Sequence, residues 1–334
     1  MNKPYVLGID IGGTNTVFGL VDARGTVIVS GAIKTAQHPV FQDYIDELYS
    51  EASKMIKSVG AEDKVGGIGV GAPNANFYTG TIDNAANLIW SGSLPLAESL
   101  RTKFGIPVAV TNDANAAAIG EMTYGAARGM KDFIMITLGT GVGSGIVANG
   151  QMIYGADGLA GELGHVISRR GGRPCGCGRN GCLETYCSAT GVVRSALEFL
   201  DASPSVPSLL RNIPSGDLTS KDVYDAAVAG DPIAQSVFEF TGRVLGEALA
   251  DFATFSSPEA FIIFGGLAKA GEMLFKPMRE AYRANCLKFQ RDIKILPSEL
   301  KEADAAVLGA SALGWEAQRL QNEADKTAGV SLNG

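Results

Sequence analysis

The chain has 334 residues, 46% hydrophobic and 19% charged, with a formal net charge of −7. That is an ordinary globular mix, long enough for two packed domains, and it excludes a disordered or fibrous chain. No Lys or Arg cluster is longer than Arg169-Arg170, so there is no electrostatic footprint for nucleic acid or an anionic membrane, and small-molecule partners are expected. MNKPYVLGID runs into a strand-like pattern without the apolar stretch of a signal peptide, and no later segment has bilayer-spanning length. The cytoplasm is the expected compartment.

In chain order, residues 5–25 (YVLGIDIGGTNTVFGLVDARG) read as a buried strand, a Gly/Thr-rich turn and an antiparallel return strand. Residues 41–60 carry apolar positions at helical spacing, 65–73 and 106–113 are buried strands, and DANAAAIGEMTYGAA from Asp113 is a helix. Residues 133–150 (FIMITLGTGVGSGIVANG) repeat the plan of 5–25, which suggests a duplicated domain. A long helix follows over 232–256, then a buried strand ending in a glycine turn over 261–266 and a helix from Ala268 to Lys288. A last helix is expected from Asp304 to Leu320, with a frayed tail over 321–334. Mixed α/β architecture with mainly buried sheets results.

Glycine turns after buried strands let backbone N–H groups converge on anionic oxygens where no Cβ intrudes. DIGGTN supplies Gly12, Gly13, Thr14 and Asn15; LGTGVGSG supplies Thr140 and Gly141. Either turn alone is as well explained by closing a hairpin, but the matched pair favours phosphate binding. Asp10 beside the first turn is placed to hold Mg²⁺ through water, since hard cations favour carboxylate oxygen. Gly265 and Gly266 in FGGLAKAG form a third turn suited to a nucleoside.

CGCGRNGCLETYC, residues 175–187, holds four of the five cysteines. Cytosolic thiols stay reduced, so the cluster reads as metal-binding or catalytic, and without Cys-x-x-Cys a redox dithiol is disfavoured. Cys175, Cys177 and Cys182 fit one tetrahedral Zn²⁺. On spacing alone, the fourth ligand is open between Cys187, which also suits a buried small hydrophobe, and His165 in GELGH.

DIGGTN, TNDANAAAIGE (111–121), LGTGVGSG, GELGH and CGCGRNGCLE, in this order from Asp10 to about Gly266, resemble the ROK family of sugar kinases and repressors, and most nearly its bacterial ATP-dependent glucokinases. The resemblance implies a two-lobed, actin-like, ribonuclease-H-like ATPase fold with a duplicated core and an inserted zinc loop. Expected boundaries are 1–115 plus 304–320 for the smaller lobe and 116–303 for the larger, zinc-bearing one. It implies ATP-dependent phosphorylation of a hexose at the 6-hydroxyl, most simply glucose. It makes His165, Cys175, Cys177 and Cys182 the zinc ligands and Cys187 the spare, and Asp113 the catalytic base. Asn112, Asp113, Glu162, His165 and Glu184, with Asn87, would hold the sugar hydroxyls.

Plainer explanations stand beside these roles: a helix N-cap for Asp113, solvated carboxylates for Glu162 and Glu184, a turn residue for Asn87. His38 in AQHPV reads as a loop residue without chemistry. One departure from the family pattern is Asn74, where many relatives have the last glycine of Gly-x-Pro-Gly; this puts discrimination at the sugar C2 position in question. N-acetylhexosamine kinase, fructokinase and a non-catalytic sugar sensor are the alternatives. A DNA-binding repressor is disfavoured, because no helix-turn-helix segment precedes the first turn. Family members are commonly dimers or tetramers, which makes a homodimer or homotetramer the expectation.

Overall fold

The computed structural model describes residues 3–85, 87–300 and 302–331. They divide into two compact units, the first drawn from Met1–Gly129, Met152–Ala160 and Glu299–Gly334, the second from Met130–Gln151 and Gly161–Ser298.

In the first unit, β1 (Tyr5–Ile11) and β2 (Thr16–Asp22) pair antiparallel from Tyr5↔Asp22 to Ile11↔Thr16, and β3 (Val27–Ile33) continues antiparallel. The helix α1 (Phe41–Ser58) then returns the chain to β4 (Val65–Gly71), parallel to β1. Its apolar positions Ile45, Leu48, Ala52 and Ile56 recur at helical spacing and are all buried. A short hairpin, β5 (Ile82–Asp83) with β6 (Ser93–Leu94), precedes α2 (Leu96–Phe104) and β7 (Val108–Thr111), which lies parallel to β4. The helix α3 (Asp113–Tyr124) follows at once. The sheet order is β3-β2-β1-β4-β7. Parallel pairing needs a crossover, which the helices supply, whereas the antiparallel pairs need only a tight turn.

The second unit repeats this order. β8 (Phe133–Leu138) and β9 (Val142–Ala148) are antiparallel, followed by β10 (Gln151–Met152). Helices α4 (Glu184–Cys187), α5 (Ala189–Ala202), α6 (Ser220–Val228) and α7 (Pro232–Ser256) come next. Then β11 (Ala260–Phe264) runs parallel to β8, α8 spans Glu272–Asn285, and β12 (Lys294–Pro297) runs parallel to β11. The order is β10-β9-β8-β11-β12, the same sequence of third, second, first, fourth and fifth strands. The α7 span matches the expected one because Asp231 caps Ile233 and Ala234 N–H at 2.9 and 3.0 Å and Pro232 sits at the first helical position. The helix expected over 268–288 is shorter: Gly266–Ala270 is a 3₁₀ turn, and Gly271, with φ 57°, separates it from α8.

The final helix, α9 (Glu302–Ser331), packs on β1 and β4 of the first unit. Its approach is a backbone contact. A methyl group on Gly69 would lie 1.9 Å from the Ala310 carbonyl, and one on Gly8 2.3 Å from that of Val307. Gly66, Gly67 and Gly69 of VGGIGVG are thus explained by close packing of α9, whereas Gly71 faces Ala116 of α3, and β4 is buried at every position.

Three boundaries differ from expectation. The first unit extends to Gly129, past 115, because α3 packs against α9. Residues 152–160 rejoin the first unit, where Tyr154 stacks on Phe77 at 4.0 Å and Asn76 Nδ2 donates to the Asp157 carbonyl at 2.7 Å. The expected frayed tail is helical to Ser331, supported by pairs four residues apart: Arg319 with Glu323 and Gln321 with Asp325. Residues 332–334 of that tail lie outside the described residues. Among the described residues, no helix is long and apolar enough to cross a membrane.

Candidate active site and metal centre

In the first unit, the end of β1, the end of β4 and the start of α3 converge. A methyl group on Gly71 would lie 3.6 Å from Asp10 Oδ1 and 3.8 Å from Asp113 Cα. The helix cap is Asn112, whose Oδ1 accepts the Asn115 N–H at 2.7 Å. Asp113 is therefore the first helical residue. It is exposed, and its Oδ1 accepts the Ala114 N–H at 2.8 Å, an arrangement that fixes the carboxylate while leaving it accessible.

Burial, and then the charge of Asp113, push the Asp10 carboxyl up from 3.8 to about 6. A group that binds its proton more tightly when folded contributes stability below pH 3.8, and that contribution is lost as pH rises through 6. Asp10→Asn, neutral throughout, is expected to be more stable than the parent at pH 8 in magnesium-free buffer by on the order of 2 kcal/mol. In thermal melts the gain should vanish near pH 4; coincident melts at pH 8 would contradict the burial of this charge.

The first glycine turn closes through Gly12 N–H to the Asn15 carbonyl at 2.9 Å, with Thr14 exposed and Asn15 Oδ1 accepting from Lys34 Nζ at 2.8 Å. Asn87 lies beside this turn: a methyl group on Gly13 would be 2.3 Å from its carbonyl oxygen. Asn74 has φ 51°, so it takes the left-handed conformation that glycine would supply, and its side-chain amide donates to the Asp83 carbonyl at 3.1 Å. His38 has a structural role. Its Nε2 is 2.8 Å from Glu47 Oε2, and its carbonyl accepts the Trp90 indole N–H at 2.8 Å.

In the second unit, ligand atoms of His165, Cys175, Cys177 and Cys182 all lie within 4.8 Å of one another. Cys187 is fully buried and its thiol points to the Thr241 carbonyl, so it stands apart from the cluster. The loop is folded by its own backbone. Cys175 N–H donates to Arg179 O at 2.9 Å, Gly178 N–H to Cys175 O at 3.0 Å and Gly181 N–H to Arg173 O at 2.8 Å. Gly181 has φ 85°, and a Cβ there would fall 1.7 Å from the Arg169 carbonyl, so only glycine fits.

N–H donors of Arg179 pull the Cys177 thiol down to about 6, which favours thiolate. Three sulfurs and one imidazole are the donor set of a closed tetrahedral Zn²⁺ site. His165 Nδ1 is the nitrogen facing Cys175, at 3.7 Å. Glu184, the first residue of α4, adjoins the cluster, with Oε1 2.9 Å from Cys175 Sγ. Glu162 heads the 3₁₀ turn of GELGH, which is pinned to β9 where Ser144 Oγ accepts the Leu163 N–H at 3.1 Å and donates to the Gly161 carbonyl.

The second and third glycine turns meet. A methyl group on Gly265, at φ 104°, would lie 2.4 Å from the Leu138 carbonyl. Leu138, Gly139, Thr140 and Gly266 line one cavity of about 520 Å³ together with Ala189 and Tyr224, within the size range of small-molecule sites. Gly141 faces Glu184, whose Oε2 would be 2.9 Å from a methyl group there. Spacing gave no indication of Ala189 or Tyr224, which α5 and α6 bring in from distant sequence.

The ROK family model matches residues 6–317. The chain belongs to the ROK family. This ROK protein is 38% identical to a glucokinase of Halalkalibacterium halodurans over 332 residues, 98% of each chain. It is 33% identical to a ROK family glucokinase from Streptomyces griseus whose crystal structure is in complex with glucose and AMPPNP; the TM-score is 0.75, over 93% of this chain and 99% of that one. A ROK family transcriptional regulator, a homologue of the Escherichia coli MLC protein, is 27% identical with TM-score 0.82, covering 94% of this chain and 78% of its own. The body of the ROK protein is thus shared by kinases and regulators.

Proposed function

We propose that the chain transfers the γ-phosphoryl group of ATP to the 6-hydroxyl of glucose. One observation carries this beyond family membership: the two glycine turns expected to hold nucleotide, distant in sequence, line a single cavity in the second unit. Thr140 and Gly141, with Gly12, Gly13, Thr14 and Asn15, offer N–H and hydroxyl donors to phosphate oxygens, and Gly265 and Gly266 border the nucleoside. Asp113 accepts the proton of the 6-hydroxyl as its oxygen bonds to the γ-phosphorus and the bond to the ADP oxygen breaks.

Asn112, Glu162, His165, Glu184 and Asn87 bind the ring hydroxyls, carboxylates being strong acceptors from vicinal OH groups. With Nδ1 of His165 directed to the metal cluster, Nε2 is left as the sugar donor. A Zn²⁺ held by His165, Cys175, Cys177 and Cys182 would fix the loop carrying Glu184, and Asp10 would hold Mg²⁺, which neutralises phosphate charge when bound. Glucose is favoured over N-acetylhexosamines by the similarity to glucokinases; Asn74, whose Nδ2 donates to the Asp83 and Asn84 carbonyls while its Oδ1 keeps its acceptor capacity, does not decide between them.

ADP release should be measured with glucose, N-acetylglucosamine, N-acetylmannosamine, mannose and fructose in parallel. Glucose is expected to give the highest kcat/KM by about tenfold or more. Sugar binding without ADP release from any of the five would instead identify a sensor.

A further inference from the structure

Arg173, just before the metal loop, is only 8% exposed, and all five of its guanidinium N–H groups have acceptors. Nε donates to Glu198 Oε1 at 2.8 Å, and Nη2 to Glu198 Oε2 at 2.6 Å and Ser195 Oγ at 2.9 Å. Nη1 donates to the Thr185 carbonyl at 2.7 Å and the Gly191 carbonyl at 3.3 Å. The guanidinium stacks 4.5 Å from the centre of the Tyr186 ring, whose hydroxyl accepts the Arg173 N–H at 3.0 Å. A buried arginine must be satisfied somewhere, so saturation alone signifies nothing. The identity of its acceptors does.

On one side, the Arg173 carbonyl accepts the Gly181 N–H that closes the cysteine loop. At the centre, Thr185 follows Glu184, whose carboxylate lies between Cys175 and the second glycine turn. On the far side, Gly191 and Ser195 belong to the first turns of α5, and the start of that helix clamps the nucleotide turn. Ala189 N–H donates to the Gly139 carbonyl at 2.8 Å, and Thr190 Oγ1 to the Thr140 carbonyl at 2.9 Å.

We infer that Arg173 is a positioning residue that couples the Cys₃His metal loop to the nucleotide-binding turn, so that metal occupancy is felt as nucleotide affinity. The connection is contiguous: metal loop, Arg173, the α4–α5 corner, then Gly139–Thr140. Lysine cannot replace it, because three donors on a flexible stem cannot form the forked contact with Glu198 and also reach Thr185, Gly191 and Ser195. This rests on the ATP site proposed above, but not on which sugar is phosphorylated.

The test is a thermodynamic cycle on the full chain, reading AMPPNP affinity by calorimetry without sugar. The parent and Arg173→Lys are each measured zinc-loaded, with zinc per chain verified, and after chelation. In the parent, chelation is expected to weaken AMPPNP binding about tenfold; zinc-loaded Arg173→Lys should already bind about tenfold more weakly, and chelation should add little. Glu198→Gln, at the half-exposed end of the ion pair, should reproduce part of the effect and serves if Arg173→Lys does not fold. Equal AMPPNP affinity in parent and variants, or losses that multiply independently, would show a purely structural arginine. No AMPPNP binding by the parent would remove the coupling together with the ATP site, whereas binding without hexose turnover would remove only the kinase assignment.

Discussion

Asp113→Asn is expected to lower kcat for glucose by about 10³-fold, roughly 4 kcal/mol of barrier, while glucose binding by calorimetry stays within a few-fold of the parent. The magnitude is that of a lost general base. The clean separation of turnover from binding comes from the local structure. Asparagine keeps an oxygen to accept the Ala114 N–H now bound by Asp113 Oδ1, and the helix cap is Asn112, which the substitution leaves intact. The start of α3 should therefore keep its conformation, and the variant should melt close to the parent. Retained turnover within tenfold of the parent would remove Asp113 from the base role, and loss of glucose binding would make it a ligand first.

Cys182→Ala should abolish stoichiometric metal and with it turnover, because Cys182 is the fully buried sulfur of the cluster and its backbone bridges to Ile167. Four-ligand sites tie folding to metal. The expected loss is about 3 kcal/mol, a fall in Tm of roughly 6–12 °C for a unit this size. Cys187→Ala is the control. Its thiol is equally buried but directed at Thr241, so it should keep one zinc per chain by elemental analysis and cost only a small packing penalty. Zinc lost from the Cys187 variant and kept by the Cys182 variant would reverse the ligand assignment.

Features set by local chemistry were readable in the sequence. The two strand–turn–strand units announce themselves through short apolar runs around glycine turns, and α7 through an Asp-Pro start and a 25-residue apolar pattern. Spacing could not choose between His165 and Cys187, because the choice depends on where a loop folds back. Coordinates separate the two by placing one in the cluster and the other in the core. Arg173 carries no local signal of its role, since its partners Ser195 and Glu198 lie more than twenty residues on. The return of residues 152–160 to the first unit depends on the Phe77–Tyr154 stack, a pairing invisible to local pattern. The tail over 321–331 lacks an apolar face, and its helix is supported by polar pairs that a search for hydrophobic periodicity passes over.

The glycine seam between β4 and α9 also dictates an order of assembly on the ribosome. Strands β1 and β4 present a face shaped for one partner, whose contacting residues Val307, Ala310 and Gly314 follow the whole of the second unit in the chain. The second unit, closed by β12 at Pro297, has all of its strands before that partner arrives. The nascent first sheet must wait with an uncovered apolar side, the interval in which a holding chaperone would matter most.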